Sequence, residues 1–337
     1  MLRNASYMID TIFIEKSARN FPLAKEVLKR FSSAQHIECS HYGEVFNRHG
    51  QNFRVQKNHP SLILAVKEGE FVLPAPVEYH VGGRHNYYFS HMLNCPYDCR
   101  YCFLQGMYSS AHYVLFVNYE DFKNDIANIT KINSKDPSWF FSGYDCDSLA
   151  FDPVSNFVNH FVPFIAENSN ARMELRTKST QIRALNKIDV TSNVICAFSF
   201  TGELANRSLE HRVPENSKRI SAMAKLQYRG WPVAVRFDPM MYYQNWRQDF
   251  SQLCLNLFKK INPVDLHSVS IGAFRMPVNY FRKVRSLYPT ESLFVAGLHQ
   301  KNGNYEYGLN IENELLGEAQ AIVGQFVEQD RIYTMRD

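Results

Sequence analysis

At 337 residues the chain exceeds the roughly 100–200 of one ordinary domain, and its 45% hydrophobic and 21% charged content excludes wholesale disorder while allowing a sizeable core. A net charge of +4 with a pI near 8.6 is a mild basic bias that permits nucleic-acid contact without demanding it. No run approaches the roughly 18 consecutive apolar residues of a membrane span, and Met1-Leu2-Arg3-Asn4-Ala5-Ser6-Tyr7 lacks a signal-peptide core, so the expectation is no membrane and a cytoplasmic location.

In chain order, residues 8–15 read as a short buried strand, 21–31 as a helix with apolar residues at helical spacing, and 61–66 as a second strand. Together they suggest a small N-terminal α/β unit, residues 1–82. It closes near residue 80, where Pro74, Pro76 and Gly82-Gly83 mark a connection. Within it, 44–57 is polar and basic with Glu44 its lone acid. That segment reads as a solvated connection, with a phosphate-contacting loop as the alternative.

Next comes Asn94-Cys95-Pro96-Tyr97-Asp98-Cys99-Arg100-Tyr101-Cys102-Phe103-Leu104-Gln105-Gly106, whose cysteines are spaced C-x3-C-x2-C with no fourth nearby. A [4Fe-4S] cluster is normally closed by four thiolates, so three leave one iron open to an outside ligand. Structural zinc is the competing reading. It needs four ligands and usually presents paired cysteines, so His91, His112 or distant Cys39 would have to complete it. Tyr101, just before Cys102, suits stacking on a planar ligand beside the metal. Seven cysteines, an odd number with three in one motif, argue for a reducing compartment rather than a disulfide framework.

This motif, with its aromatic before the third cysteine, resembles the signature of radical S-adenosylmethionine (SAM) enzymes. The run Tyr101-Cys102-Phe103-Leu104-Gln105 narrows the likeness to the spore photoproduct lyase family, which carries Tyr-Cys-Tyr-Leu-Gln there and reverses a methylene-bridged thymine dimer in DNA. The resemblance implies a [4Fe-4S] cluster on Cys95, Cys99 and Cys102. It further implies SAM on the open iron, cleaved reductively to yield a 5′-deoxyadenosyl radical. An external electron donor of flavodoxin or ferredoxin type, and DNA or another nucleic acid as partner, follow from the same likeness. The N-terminal segment is also similar to the family's in order and length, and the likeness runs from Phe13 to about Leu316.

From residue 85 strands and helices alternate, the pattern of a parallel sheet with crossover helices. Strands are expected at 86–93, 113–118, 138–143, 172–178, 193–200, 232–239 and 266–274, and helices at 119–131, 153–168, 180–187, 216–229, 245–260 and 277–286. Six or so units are too few for an eight-stranded barrel and suit the partial (β/α)6 radical SAM barrel, placed at residues 83–290. Chemistry in β/α barrels belongs at the C-terminal strand ends. There the resemblance places Ser142 and Gly143 in the loop that holds the SAM amino group, Lys178 on the SAM carboxylate and Ser199 facing SAM.

Further on, Glu210 and Arg212 could reach ribose or phosphate or form an ion pair, and Arg236 and Asp238 could face substrate or bridge to one another. Arg275 is a further rim cation. Cys196 and Cys254 read as buried inert thiols, Cys39 as a surface thiol, and Trp231 and Trp246 as packing residues, with base stacking the alternative for either tryptophan. Residues 291–337 form the last segment. Asn302-Gly303 between two short strands is a strong hairpin signal, and the tail from Ile311 reads as helix. The family has a lesion-prying hairpin here followed by a tyrosine near the substrate, which Tyr307 resembles.

Two positions depart from the family. By the Asp147 to Asp152 pattern, the cysteine that returns a hydrogen atom to the thymine radical falls on Tyr144, with Cys146 two residues on, and Phe103 replaces a relay tyrosine and has no O–H. Three readings follow. The first is a lesion lyase in which Cys146 or Tyr144 donates the hydrogen. The second is the same chemistry on a modified base, RNA or peptide. The third is a non-catalytic nucleic-acid-binding protein with a structural metal.

Overall fold

The computed structural model describes residues 9–76, 81–295 and 297–335. Met1–Tyr7, Met8 of the first expected strand and part of the connection near residue 80 lie outside the described residues.

The first sheet has five strands, in the order Gln35–Cys39, Thr11–Glu15, Leu62–Ala65, Tyr113–Phe116 and Met92–Leu93. The first four run parallel and the last antiparallel. Leu62 to Ala65 are all fully buried, as an uninterrupted apolar run in a sheet covered on both faces requires. The helix Pro22–Arg30 starts with proline, ends on Lys29 and Arg30, and buries Leu23, Ala24 and Val27.

This sheet takes strands from both sides of residue 82. Residues 113–116, expected in the barrel, instead pair with Leu62–Ala65, and the expected strand 86–93 splits between two sheets. The break falls at Ser90 and His91, where the Ser90 hydroxyl turns to the Asp145 carboxylate. A short apolar run carries the same pattern whichever sheet receives it. The segment 44–57 is also more than a connection: it contains most of the helices Gly43–Phe46 and Phe53–Asn58, the second of which buries Phe53 and Lys57.

The second sheet is curled and has eight strands, in the order Ile332–Met335, Leu266–Ala273, Val233–Met240, Val194–Ser199, Ala171–Thr177, Ser138–Phe141, His85–Phe89 and Val72–Pro74. All pairings are parallel except the last. The six strands from His85–Phe89 to Leu266–Ala273 are the expected (β/α)6 partial barrel. Tyr119–Ile132 shows how the outer helices form: Tyr119, Phe122, Ile126 and Thr130 repeat at helical spacing and face inward. Asn156, in left-handed conformation with φ of 53°, divides the expected helix 153–168 into Asp152–Ser155 and Phe157–Glu167.

The expected helix 180–187 is absent and the chain turns there instead. The Thr177 and Ser179 hydroxyls accept from the backbone N–H of Ser179 and Gln181, at 2.8 and 3.0 Å, and draw the chain out of helical geometry. The strand Ile332–Met335, unanticipated in a tail read as helix, follows the helix Leu309–Val323. Asn302 and Gly303, with φ of 47° and 81°, form the expected hairpin turn between Leu298–Lys301 and Asn304–Tyr307, and Arg275–Pro277 adds a third strand. Among the described residues no helix is long and apolar enough to cross a membrane.

The short helix Leu104–Met107, just after the cysteine motif, packs on Val278–Leu287. A Cβ on Gly106 would stand 2.3 Å from the Tyr280 carbonyl oxygen. Gly106→Ala is therefore expected to destabilise the protein by about 1–3 kcal/mol through overpacking. Urea unfolding of the cluster-free protein checks this, and an unchanged midpoint would contradict it.

Candidate active site

The cysteine loop is built by local hydrogen bonds. Asn94 adopts φ of 69°, which asparagine tolerates, and its amide donates to the carbonyls of Ser110 and His112 at 2.8 and 2.7 Å. Asp98 and Cys99 pair antiparallel with His211 and Glu210. The Asp98 carboxylate accepts from Arg100 at 2.8 Å and Gln105 at 2.9 Å, and the Cys102 N–H donates to the Cys99 carbonyl at 3.1 Å. Cys95, Cys99 and Cys102 thus come to one cavity of about 430 Å³, which Tyr101, Gly143, Tyr144, Cys146, Lys178 and Ser199 also line.

Burial pushes the Cys95 thiol up to about 12 and raises those of Cys99 and Cys102. Such thiols ionise on metal coordination. Among the described residues no three His, Cys, Asp or Glu side chains are grouped to hold a single ion. The ligands a zinc site would need are elsewhere. His91 stacks on Phe157 at 3.9 Å, His112 Nδ1 accepts from the Ser61 N–H at 2.9 Å, and Cys39 lies in the edge strand of the first sheet. Cys39 is buried rather than a surface thiol, its pKa pushed up to about 11 by burial and nearby Glu15. A donor set of three thiols in one cavity fits a cluster with one iron left for an outside ligand.

Beside the cysteines, Gly143 allows a close approach: a Cβ there would meet Ser148 Oγ at 2.8 Å and the Arg176 carbonyl at 3.0 Å. Asp147 fixes the neighbouring strand ends, accepting from the N–H groups of Leu149, Ala150 and Lys178 and from the Thr177 hydroxyl at 2.6–3.0 Å. Lys178 Nζ stands 4.0 Å from Glu210 and 5.6 Å from the Tyr101 ring centre. Glu210 is fully buried. It accepts from Arg219 at 2.6 Å, from Asn206 at 2.7 Å and from the Tyr101 hydroxyl. Burial alone would raise its pKa, but Arg219 and Lys178 hold it below the ordinary carboxylate range.

Ser142 does not line the cavity. Its hydroxyl bonds to Ser148 at 2.9 Å and to the Glu174 carbonyl at 3.0 Å. Tyr307 is also elsewhere: its hydroxyl accepts from the Tyr242 N–H at 3.0 Å and its ring packs on Phe274 and Tyr242. Asn304 of the same hairpin, with Tyr280 and Arg275, lines the cavity instead. Cys146 Sγ lies 3.8 Å from the Ser142 carbonyl, its thiol pKa raised well above the ordinary value by burial. The Tyr144 ring sits 4.3 Å from Tyr88 and 5.6 Å from Phe103, centre to centre.

Two expected pairings are replaced. Arg236 turns into the barrel to Glu174, 2.7 Å away, leaving Asp238 4.0 Å from Arg176, and Arg212 donates to the Lys57 carbonyl and Asn58. Lys57, which also lines the cavity, escaped the sequence reading. A signal was present: Asn52 caps the helix, accepting from the Val55 N–H at 3.1 Å, and puts Phe53 and Lys57 on one face.

The family model of spore photoproduct lyase matches residues 7–310 of the chain. The chain belongs to the spore photoproduct lyase family. Family relatives include the spore photoproduct lyase of Clostridium acetobutylicum, 21% identical over 335 residues and covering 97% of this chain and 96% of that protein. That of Bacillus subtilis is 20% identical over 311 residues, covering 88% and 86%. Among solved structures, a cysteine-to-serine mutant of spore photoproduct lyase matches with a TM-score of 0.86 at 17% identity, over 98% of this chain and 99% of that one. A mutant with bound AdoMet and dinucleoside spore photoproduct matches with a TM-score of 0.85 at 18% identity, over the same shares. As a spore photoproduct lyase family member the protein is a radical SAM enzyme of the lyase type.

Proposed function

We propose that this enzyme repairs a thymine-dimer lesion in DNA, with Cys95, Cys99 and Cys102 holding a [4Fe-4S] cluster and SAM bound beside it. A flavodoxin or ferredoxin type protein would supply the electron. The observation that carries the reading is the single cavity in which three cysteines meet Gly143, Lys178 and Ser199. When bound, the cluster and SAM supply the one-electron chemistry that removes a hydrogen atom from substrate.

The protein's own residues bind and orient. Lys178 offers an ammonium to the SAM carboxylate, Gly143 and Ser199 offer backbone and hydroxyl, and Tyr101, its hydroxyl held by Glu210, presents an aromatic wall. Ser142 supports this loop from behind through its bonds to Ser148 and the Glu174 carbonyl. A cavity of about 430 Å³ is of ligand-binding size. The Cys146 thiol is the donor that returns a hydrogen atom to the substrate carbon, and the Tyr144 phenol, lining the same cavity, is the alternative donor. Tyr307 fixes the hairpin to Tyr242.

A different substrate, such as a modified base, RNA or a peptide, is the second reading, favoured by Tyr144 and Phe103 standing at the family's cysteine and tyrosine positions. Anaerobic incubation with SAM, reductant and a dinucleoside spore photoproduct separates the two. Repaired thymidylyl-thymidine supports the lesion, and SAM cleavage without repair supports the other substrate. Cys146→Ala is expected to slow repair at least about tenfold, equivalent to about 1.4 kcal/mol of barrier, while SAM cleavage persists. Normal repair by Cys146→Ala, with loss in Tyr144→Phe, would move the donor role to Tyr144.

A further inference from the structure

Lys57 is 5% exposed, on the helix Phe53–Asn58 of the N-terminal region, and its ammonium donates to the Cys95 carbonyl at 2.7 Å. Among the described residues no carboxylate lies within ion-pair distance of it; Asp98, in the same loop, is paired with Arg100 at 2.8 Å. An ammonium buried without a counter-charge costs several kcal/mol, yet this one is held firmly in place. Arg212 donates to the Lys57 carbonyl at 2.5 Å and to Asn58 at 2.9 Å, and the Ala111 N–H donates to Gln56 at 3.0 Å. Lys57 lines the cavity that holds the three cysteines.

We propose that Lys57 is the fixed cation of the cluster site, and that the anion it was placed to meet is the thiolate-bound iron–sulfur cluster itself. This rests on the cluster assignment above. Each electron taken up adds one negative charge to the cluster, so a fixed cation stabilises the reduced form and raises the potential. Lys57 is thus a positioning residue: it sets how readily the cluster accepts the electron and ties the N-terminal region to the chemistry of the barrel.

The test is a redox titration, followed by electron paramagnetic resonance, of anaerobically reconstituted full-length protein without SAM, comparing wild type, Lys57→Met and Lys57→Arg. Lys57→Met is expected to keep its iron and become about tenfold harder to reduce, about 59 mV lower for a one-electron couple. Lys57→Arg stays near wild type. Loss of cluster from Lys57→Met but not from Lys57→Arg would equally support a charge role.

A wild-type potential in iron-replete Lys57→Met would overturn the proposal, as would equal loss of cluster from both variants. Thermal unfolding of the cluster-free proteins separates charge from structure. Without its uncompensated cation Lys57→Met should melt at or above wild type, whereas a clear drop would make the bond to Cys95 merely structural and sink the idea. Wild-type protein that takes up no cluster would instead refute the cluster assignment.

Discussion

Cys99→Ala is expected to leave a colourless, nearly iron-free protein whose reductive SAM cleavage falls at least about a thousandfold, roughly 4 kcal/mol of barrier. Cys99 is buried, and its strand pairing with Glu210 fixes it in place. With one of the three proposed thiolate ligands gone, two irons instead of one would lack a protein ligand. Among the described residues Cys146 is the one further thiol lining the cavity, and it sits under the Ser142 carbonyl. Iron analysis, visible absorption and the yield of 5′-deoxyadenosine check the prediction. Cys196→Ala and Cys254→Ala, which remove fully buried thiols away from the cavity, should keep full iron content. A Cys99→Ala protein that binds and uses a cluster normally would refute the ligand assignment.

Arg236→Met should destabilise the cluster-free protein by about 3–5 kcal/mol, the usual cost of breaking a buried pair by removing one partner. Glu174 and Arg236 are both fully buried between barrel strands, joined at 2.7 Å, with Ser268 Oγ 3.0 Å from the guanidinium. The substitution would leave Glu174 with Arg176 alone, at 2.9 Å. Burial by itself would raise the Glu174 pKa, but Arg236 and Arg176 bring it down to about 2 from 4.5.

A carboxylate depressed in this way contributes stability that is present in full above its unfolded value. That contribution is lost as pH falls from about 4.5 toward about 2. Wild-type unfolding free energy should therefore rise as pH is raised through that window, and the slope should flatten in Arg236→Met. Urea unfolding at stepped pH measures both effects. The double variant Glu174→Gln with Arg236→Met should recover part of the loss, since it no longer buries an uncompensated charge. A single variant as stable as wild type would mean the pair is not structural.

The Glu174–Arg236 pair shows where reading the sequence stops. Arg236 and Asp238 lie two apart on one strand and look like partners, but the curl of the sheet brings Glu174, from a strand two places away, closer to the guanidinium. Tyr307 has the same lesson at the hairpin. Its neighbourhood was legible, while its side chain turned to Tyr242 and left Asn304 and Tyr280 to face the cavity.

What the sequence determined by itself was local chemistry: the spacing of Cys95, Cys99 and Cys102, the six-unit alternation of the barrel, and the Asn302-Gly303 turn. Each depends on residues within a few positions of one another, so spacing and backbone preference are enough to specify it. Only the tertiary structure decided that Tyr113–Phe116 joins the first sheet, that Ile332–Met335 closes the edge of the second, and that Lys57 reaches the cysteine loop 38 positions away. Those outcomes depend on which buried surfaces and charges find one another across the folded chain. An apolar strand or a lone lysine looks the same in sequence whichever partner it meets.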